Sequence, residues 1–407
     1  MTATATATNA RLARPGFVAW LAAATVSSTG DGVLYFALAW TASGIGPGAV
    51  TVVMVAGLVP EVLLTLAGGV LADRWGVRRT LLGCTAAMSA LIVVLLAADR
   101  GGAPLFSLLV AVAIGQGVVG SLMQPASNVM PRLFVADDDL PRAMAIAGSV
   151  LSVARLAGPP LGALVVVGLG LDGALVVDLV SFLLVAGVLG LVRPPYERRR
   201  EPAAEASAWS DVAAGLRAVG RVPGIRPLLT SLALVAGGLL PLLALGVPLL
   251  ARERGWAATT AGVIEACWIA GTLAVGLLVA RVGTRDNPRP PLVAGPVLAG
   301  LGVVALALAP APGPAYAAAV VMGIGTAVYT THVFPLYVLR SPDDMLARFQ
   351  SVLILVQMVM MLVGNLLAGG AIGLWGVTPV LLAAAVVCAA AAVPVLGRRA
   401  LSDPVGG

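Results

Sequence analysis

Apolar runs of about twenty residues recur along the whole 407-residue chain, separated by short polar or glycine-rich breaks. About 20 apolar residues of helix cross a bilayer's hydrocarbon core. The pattern predicts twelve such spans, over 16–40, 48–72, 80–98, 104–128, 143–170, 173–192, 227–250, 258–281, 291–309, 314–338, 349–372 and 374–396. Pro60, Pro125, Pro159, Pro241 and Pro335 fall inside spans. Neighbouring helices can satisfy the backbone groups such prolines free. The longest polar break, 193–225, separates span six from span seven. It predicts a six-helix half over 1–192, a linker over 193–225 and a second six-helix half over 226–407. The linker's later part, WSDVAAGLRAVGRV, reads equally well as a surface amphipathic helix or as plain solvated chain.

Composition agrees with this class. The chain is 59% hydrophobic and 11% charged, against about 25% charged in soluble proteins. A soluble globular protein is therefore excluded. All 25 basic residues are arginines. With a cytoplasmic N-terminus, 21 of them fall on the cytoplasmic side and three, Arg100, Arg252 and Arg254, on the outer side. This follows the positive-inside rule and predicts that both termini face the cytoplasm, in the inner membrane. The opening MTATATATNARLARP precedes an apolar stretch too long for a signal-peptide core, so a span is expected there and not a cleaved signal. Cys84, Cys267 and Cys388 lie in apolar runs without metal-ligand spacing. No basic cluster carries interleaved aromatics, so nucleic acid is not an expected partner. No H-E-x-x-H, G-x-S-x-G or Walker A sequence occurs, which argues against a membrane enzyme or an ATP-driven pump.

One charged knot stands out: GGVLADRWGVRRTLLG at 68–83, between spans two and three. Shifted by 207 positions, Gly69, Arg74, Gly76 and Arg78 land on Gly276, Arg281, Gly283 and Arg285, between spans eight and nine. A weaker echo pairs DDLPR at 138–142 with DDMLAR at 343–348. The halves thus read as parallel six-span repeats, a transporter plan that places substrate at the interface of the halves.

GGVLADRWGVRR resembles the signature loop of the major facilitator superfamily, in sequence and in position. ARLAGPPLGALVV (154–166) resembles the G-P-x-x-G element of the superfamily's antiporters, here Gly158, Pro159 and Gly162. STGDGVLYFALAW (28–40) and VVDLVSFLL (176–184) resemble its proton-driven, twelve-span branch of macrolide and enterobactin exporters. The resemblance implies an all-α polytopic protein of two pseudo-symmetric six-helix halves, driven by a proton gradient without cofactor or metal. One departure stands out. Many such exporters carry an arginine in span four shortly before a Gln-Gly pair; here Gln116–Gly117 is present and the place near Ala113 is apolar.

The knot (Gly69, Asp73, Arg74, Gly76, Arg78, Arg79) reads as a cytoplasmic latch. It would hold the halves together when the cavity opens outward, with Asp73 facing a neighbouring helix's positive end. A plain topology signal is the competing reading. Asp73→Asn should insert normally and transport more slowly; normal transport by a well-expressed variant would remove the latch.

Ionisable groups inside spans cost roughly 2.5–3.5 kcal/mol each on insertion scales, which makes them functional candidates. Here they are Asp31, Glu61, Arg155, Asp178 and Glu265, with the lone histidine His332. A carboxyl group in the membrane can exchange between charged and neutral forms, since burial favours the neutral form and a nearby guanidinium the charged one. Asp31 and Glu61 are the candidate proton carriers and Arg155 their modulator. Asp178 reads as structural or functional, and Glu265 as a contact for a cationic substrate. Tyr35, Phe36, Trp40, Trp268 and Tyr329, with Gln116, Asn128, Gln357 and Asn365, would line a mostly apolar cavity. Each aromatic alone is more often a packing residue or an interfacial anchor. The expected substrate is an amphipathic small molecule, exported by a monomer in the bilayer. A lipid or lysolipid flippase, or an importer, is the alternative on the same scaffold.

Overall fold

The computed structural model describes residues 15–397, apart from 193–194, 196–215, 221, 284–286 and 343–344; the side chains of 65–74, 137 and 347 also lie outside the description. Among the described residues, eleven helices are long and apolar enough to cross a membrane. They are α1 (Pro15–Ile45), α2 (Pro47–Trp75), α3 (Val77–Arg100), α4 (Leu105–Val129), α5 (Leu140–Leu191), α6 (Ile225–Glu253), α7 (Ala258–Val282), α8 (Arg289–Leu308), α9 (Pro312–Arg340), α10 (Leu346–Trp375) and α11 (Val377–Leu396). No strand occurs among the described residues.

Spans five and six join without an intervening loop. α5 runs for 52 residues, about 78 Å at 1.5 Å per residue and far more than one bilayer crossing. Its helical dihedrals break at Gly170 (φ 68°, ψ −163°). Only glycine adopts that conformation without strain, so one residue serves as the whole turn. The twelve expected spans are therefore present, two of them in α5.

The chain forms two compact units. The first comprises 1–41 and 56–205; the second comprises 42–55 and 206–407. In the first, Phe17 and Trp20 of α1, Leu81 of α3, Ala126 of α4 and Ala143, Ala147, Val185 and Leu189 of α5 form one buried cluster with Phe134. These residues come from the start of α1, α3 and α5 and from the end of α4 and α5. One cluster can hold them only if successive spans run in opposite directions. In the second unit, the start of α6 (Ile225, Leu228), of α8 (Leu292) and of α10 (Phe349, Val352) meets the end of α9 (Val333, Tyr337) and of α11 (Val395).

The repeat has a backbone signature. Gly76, between α2 and α3, has φ 86° and ψ 140°; Gly283, 207 positions on between α7 and α8, has φ 84° and ψ 174°. Both turns reverse the chain through a region that side chains rarely adopt. This accounts for the glycine inside the charged knot. Arg78 then donates from Nε to the Leu189 carbonyl oxygen (2.7 Å) and from Nη2 to that of Gly190 (3.1 Å). A cation here satisfies carbonyls at the end of α5 that have no partner within the helix, and it sits at the negative end of the helix dipole. The side chains of Gly69, Asp73 and Arg74 and all of Arg285 lie outside the described residues. Arg79 is exposed.

Candidate functional site

The sequence Gly30-Asp31-Gly32 organises the first unit's polar centre. A Cβ on Gly32 would lie 2.8 Å from the Gly158 Cα, and one on Gly158 2.5 Å from the Gly32 Cα. The backbones of α1 and the first segment of α5 therefore touch, as glycine pairs permit in membranes. Gly162 extends this contact: its Cβ would stand 2.8 Å from the Val33 carbonyl oxygen. The antiporter-like Gly158 and Gly162 are thus the seat for α1. Thr29 Oγ1 donates to the Thr25 carbonyl (3.0 Å) and, at 3.4 Å, reaches that of Ala154 across the same contact. On its other side α1 meets the second segment of α5, where a Cβ on Gly30 would fall 2.9 Å from Ser181 Oγ and 3.1 Å from Asp178 Oδ1. Asp31, flanked by these glycines, is held between the two segments.

Three ionisable groups act on one another there: Asp178, fully buried, Asp31, half-buried, and Arg155, exposed. Asp31 lies within electrostatic reach of Arg155 on the first α5 segment and of Asp178 on the second. Arg155 also points Nη1 at Gln124 Oε1 of α4, 3.5 Å away. Asp178 is fully buried, and neither carboxylate oxygen has a hydrogen-bond partner. Ser181 sits beside it but donates to the Asp178 main-chain oxygen (2.7 Å). Asp178 follows the Gly170 turn by eight residues, about 12 Å of helix. Nothing in the sequence signals that it would lie near α1. Gln124 was not singled out from the sequence. Its only signal is a polar side chain inside an apolar run, one residue before Pro125.

The remaining candidates of this unit differ in exposure. Glu61 on α2 is half-buried, as is Gln116, while Asn128 is exposed one turn beyond Gln124. Tyr35 is 41% exposed. Phe36 and Trp40 are buried and stacked, with centroids 6.3 Å apart. Ala113, the place near which exporters of the resembled branch carry arginine, is buried, and a Cβ on Gly57 would come within 3.1 Å of its carbonyl oxygen. The close approach of α2 and α4 there leaves no volume for a long side chain.

In the second unit, Glu265 and His332 are both buried. His332 Nδ1 lies 2.9 Å from the Val328 carbonyl and 3.2 Å from Thr331 Oγ1; its Nε2 has no partner. Tyr329 OH pairs with Ser231 Oγ (2.7 Å), which donates in turn to the Ala391 carbonyl (2.7 Å), so Tyr329 is part of the core. Trp268 Nε1 reaches Thr326 Oγ1 at 3.4 Å. Gln357 is half-buried, and Asn365 is buried with Oδ1 unpartnered. An apolar cavity of about 260 Å³ lies between α6, α10 and α11 and holds none of these residues. α6 and α10 touch at Gly237 and Gly364 and enclose it from there, next to a π-helical turn at Leu242–Gly246. No group of three or more potential metal ligands occurs among the described residues.

Comparison with known proteins adds a family and a fold. The family model described as Major Facilitator Superfamily matches residues 20–245 and 229–406. No curated protein matches the sequence. Among solved structures, a bacterial homologue of the human lysosomal transporter Spinster, inward-facing and occupied, is similar with TM-score 0.69 and 16% identity over 92% of this chain and 95% of that one. A point mutant of the nucleoside transporter NupG gives TM-score 0.70 and 13% identity, covering 93% and 99%. A bacterial homologue of the iron transporter ferroportin, inward-facing, gives TM-score 0.64 and 19% identity, covering 94% and 99%. At these identities the likeness is one of fold.

Proposed function

The chain belongs to the Major Facilitator Superfamily, and from that premise we propose that it exports amphipathic small molecules in exchange for protons, by alternating access between its two six-helix halves. The observation that carries this reading is Asp31, an acidic group in a membrane-spanning helix whose flanking glycines pack against α5, within electrostatic reach of Arg155. Such a group is costly in a membrane. A static ion pair would explain its presence, but not a second, unpartnered carboxylate beside it. A carboxyl group that exchanges a proton as its surroundings change supplies the coupling step. The arginine distribution supports a place in the cytoplasmic membrane with both termini inside. A second reading, movement of lipid or lysolipid, draws on the cavity between α6, α10 and α11, whose apolar lining suits an acyl chain.

The test is accumulation of fluorescent dyes in inverted membrane vesicles given an imposed proton gradient. Vesicles carrying the protein are expected to accumulate dye only while the gradient stands, and to stop when an uncoupler collapses it. Uptake of labelled lysolipid without any dye accumulation would favour the lipid reading. Dye uptake that ignores the uncoupler would end proton coupling.

A further inference from the structure

Asp178 poses a problem that the export reading does not solve. Buried polar groups are hydrogen-bonded in nearly all proteins, and an unpaired buried charge costs far more than a neutral group. Yet Asp178 is fully buried, and neither of its carboxylate oxygens has a partner. The hydroxyl beside it, Ser181 Oγ, donates to the Asp178 main-chain oxygen at 2.7 Å and lies near the carboxylate as well, and its single proton serves only one of the two at a time. Among the described residues, the ionisable groups acting on this centre are Asp31 on α1 and Arg155 on the first α5 segment.

Charge bookkeeping narrows what completes the site. With both carboxylates ionised, the three side chains carry one net negative charge. A single proton brings the sum to zero. A divalent cation, or a second proton, would leave an uncompensated positive charge. One proton also repairs the hydrogen-bond deficit, because a carboxyl O–H is a donor where Asp178 has none. Asp31 and Asp178 repel one another when both are ionised, and Asp178 is fully buried, so the pair favours sharing a proton. The glycines on either side of Asp31 make the arrangement rigid: Gly30 lets α1 approach Asp178, and Gly32 lets it approach the segment that carries Arg155.

We propose that Asp31 and Asp178 form one ion site that holds a single proton between two carboxyl groups, with Arg155 as its fixed counter-charge. This rests on, and deepens, the reading of Asp31 as the coupling group. The coupling unit is then the pair, and Asp178 carries protons alongside Asp31.

The test is infrared difference spectroscopy on the purified full-length protein in lipid, titrated with acid and base. It requires no substrate, so a failure of the export reading would leave its result standing. Subtracting the Asp178→Asn spectrum from that of the wild type should reveal a protonated-carboxyl C=O band that shifts in D2O. Asp31→Asn should move the pH midpoint of that band by at least about one unit, the interaction size that marks a coupled pair. Glu265→Gln should leave the midpoint in place. Replacing sodium by choline should also leave it unchanged. Should Asp178→Asn fail to fold, Asp178→Glu keeps the carboxyl and should displace the band. The proposal is overturned by a difference spectrum with no protonated carboxyl, by a midpoint indifferent to Asp31, or by one that follows sodium.

Discussion

Asp31→Asn is expected to lower gradient-driven dye accumulation in inverted vesicles by about tenfold or more, while the protein still inserts and elutes as a single species on size exclusion. The side chains are nearly equal in size, and the flanking contacts at Gly30 and Gly32 are made by backbone, so packing survives. What is lost is a group able to bind and release a proton. An amide is neutral in every state of the cycle, so Arg155 no longer feels the negative charge that an ionised Asp31 supplies. Substrate can still bind, but the proton gradient no longer biases the exchange between states, because a driving ion acts only through differential affinity for them. Uptake within about twofold of the wild type would remove Asp31 from the mechanism and turn attention to Glu61 and His332.

Gly158→Ala is expected to destabilise the protein by more than about 3 kcal/mol, at or above the upper end of ordinary overpacking penalties. A single methyl group at this position meets the Gly32 Cα at 2.5 Å, the Gly32 carbonyl carbon at 2.8 Å and the Thr29 carbonyl oxygen at 3.1 Å. All three are backbone atoms of α1, so no side-chain rotation relieves the overlap; the helices must separate. Separation would pull Asp31 from Arg155, so activity should fall with stability. Gly148→Ala on the same helix is the control, because a Cβ there meets nothing within 4 Å. Its effect should stay within about 1 kcal/mol, the range of helix propensity alone. Thermal unfolding in detergent, followed by tryptophan fluorescence from the buried Trp20 and Trp40, separates the two. Equal unfolding midpoints for both variants would contradict the backbone contact described here.

Much of the architecture was legible in the chain because a membrane imposes one-dimensional rules. Every backbone polar group must be satisfied within its own helix, so span length and hydropathy alone locate the spans. Gly76 and Gly283 were visible as a repeat because both turns need a conformation only glycine takes freely. The ionisable residues of the site could also be picked out, since charge within a span is costly and rare. Their partners could not. Asp31 and Asp178 are far apart in sequence, on α1 and the second segment of α5, and the count of depth along each helix says nothing of the direction in which a side chain points. That direction depends on helix rotation, set here by which glycines face which backbone. Gly158 and Gly162 show the same limit: read as a motif they implied an antiporter, and only packing showed them to be the seat of α1.

Tyr329 shows the reverse. In the sequence it reads as a candidate cavity residue, although a single aromatic in a span is more often packing, and its burial and hydrogen bond to Ser231 put it in the core. From the sequence alone came the membrane class, the spans, the internal repeat and the set of charged residues that require explanation. The tertiary structure alone decided that Asp31 comes within electrostatic reach of both Arg155 and Asp178, and that the buried Asp178 carboxylate has no hydrogen-bond partner. Hydrophobicity acts on each residue independently and survives projection onto a line. Pairing depends on distances between helices remote in sequence, and those exist only once the backbones have packed.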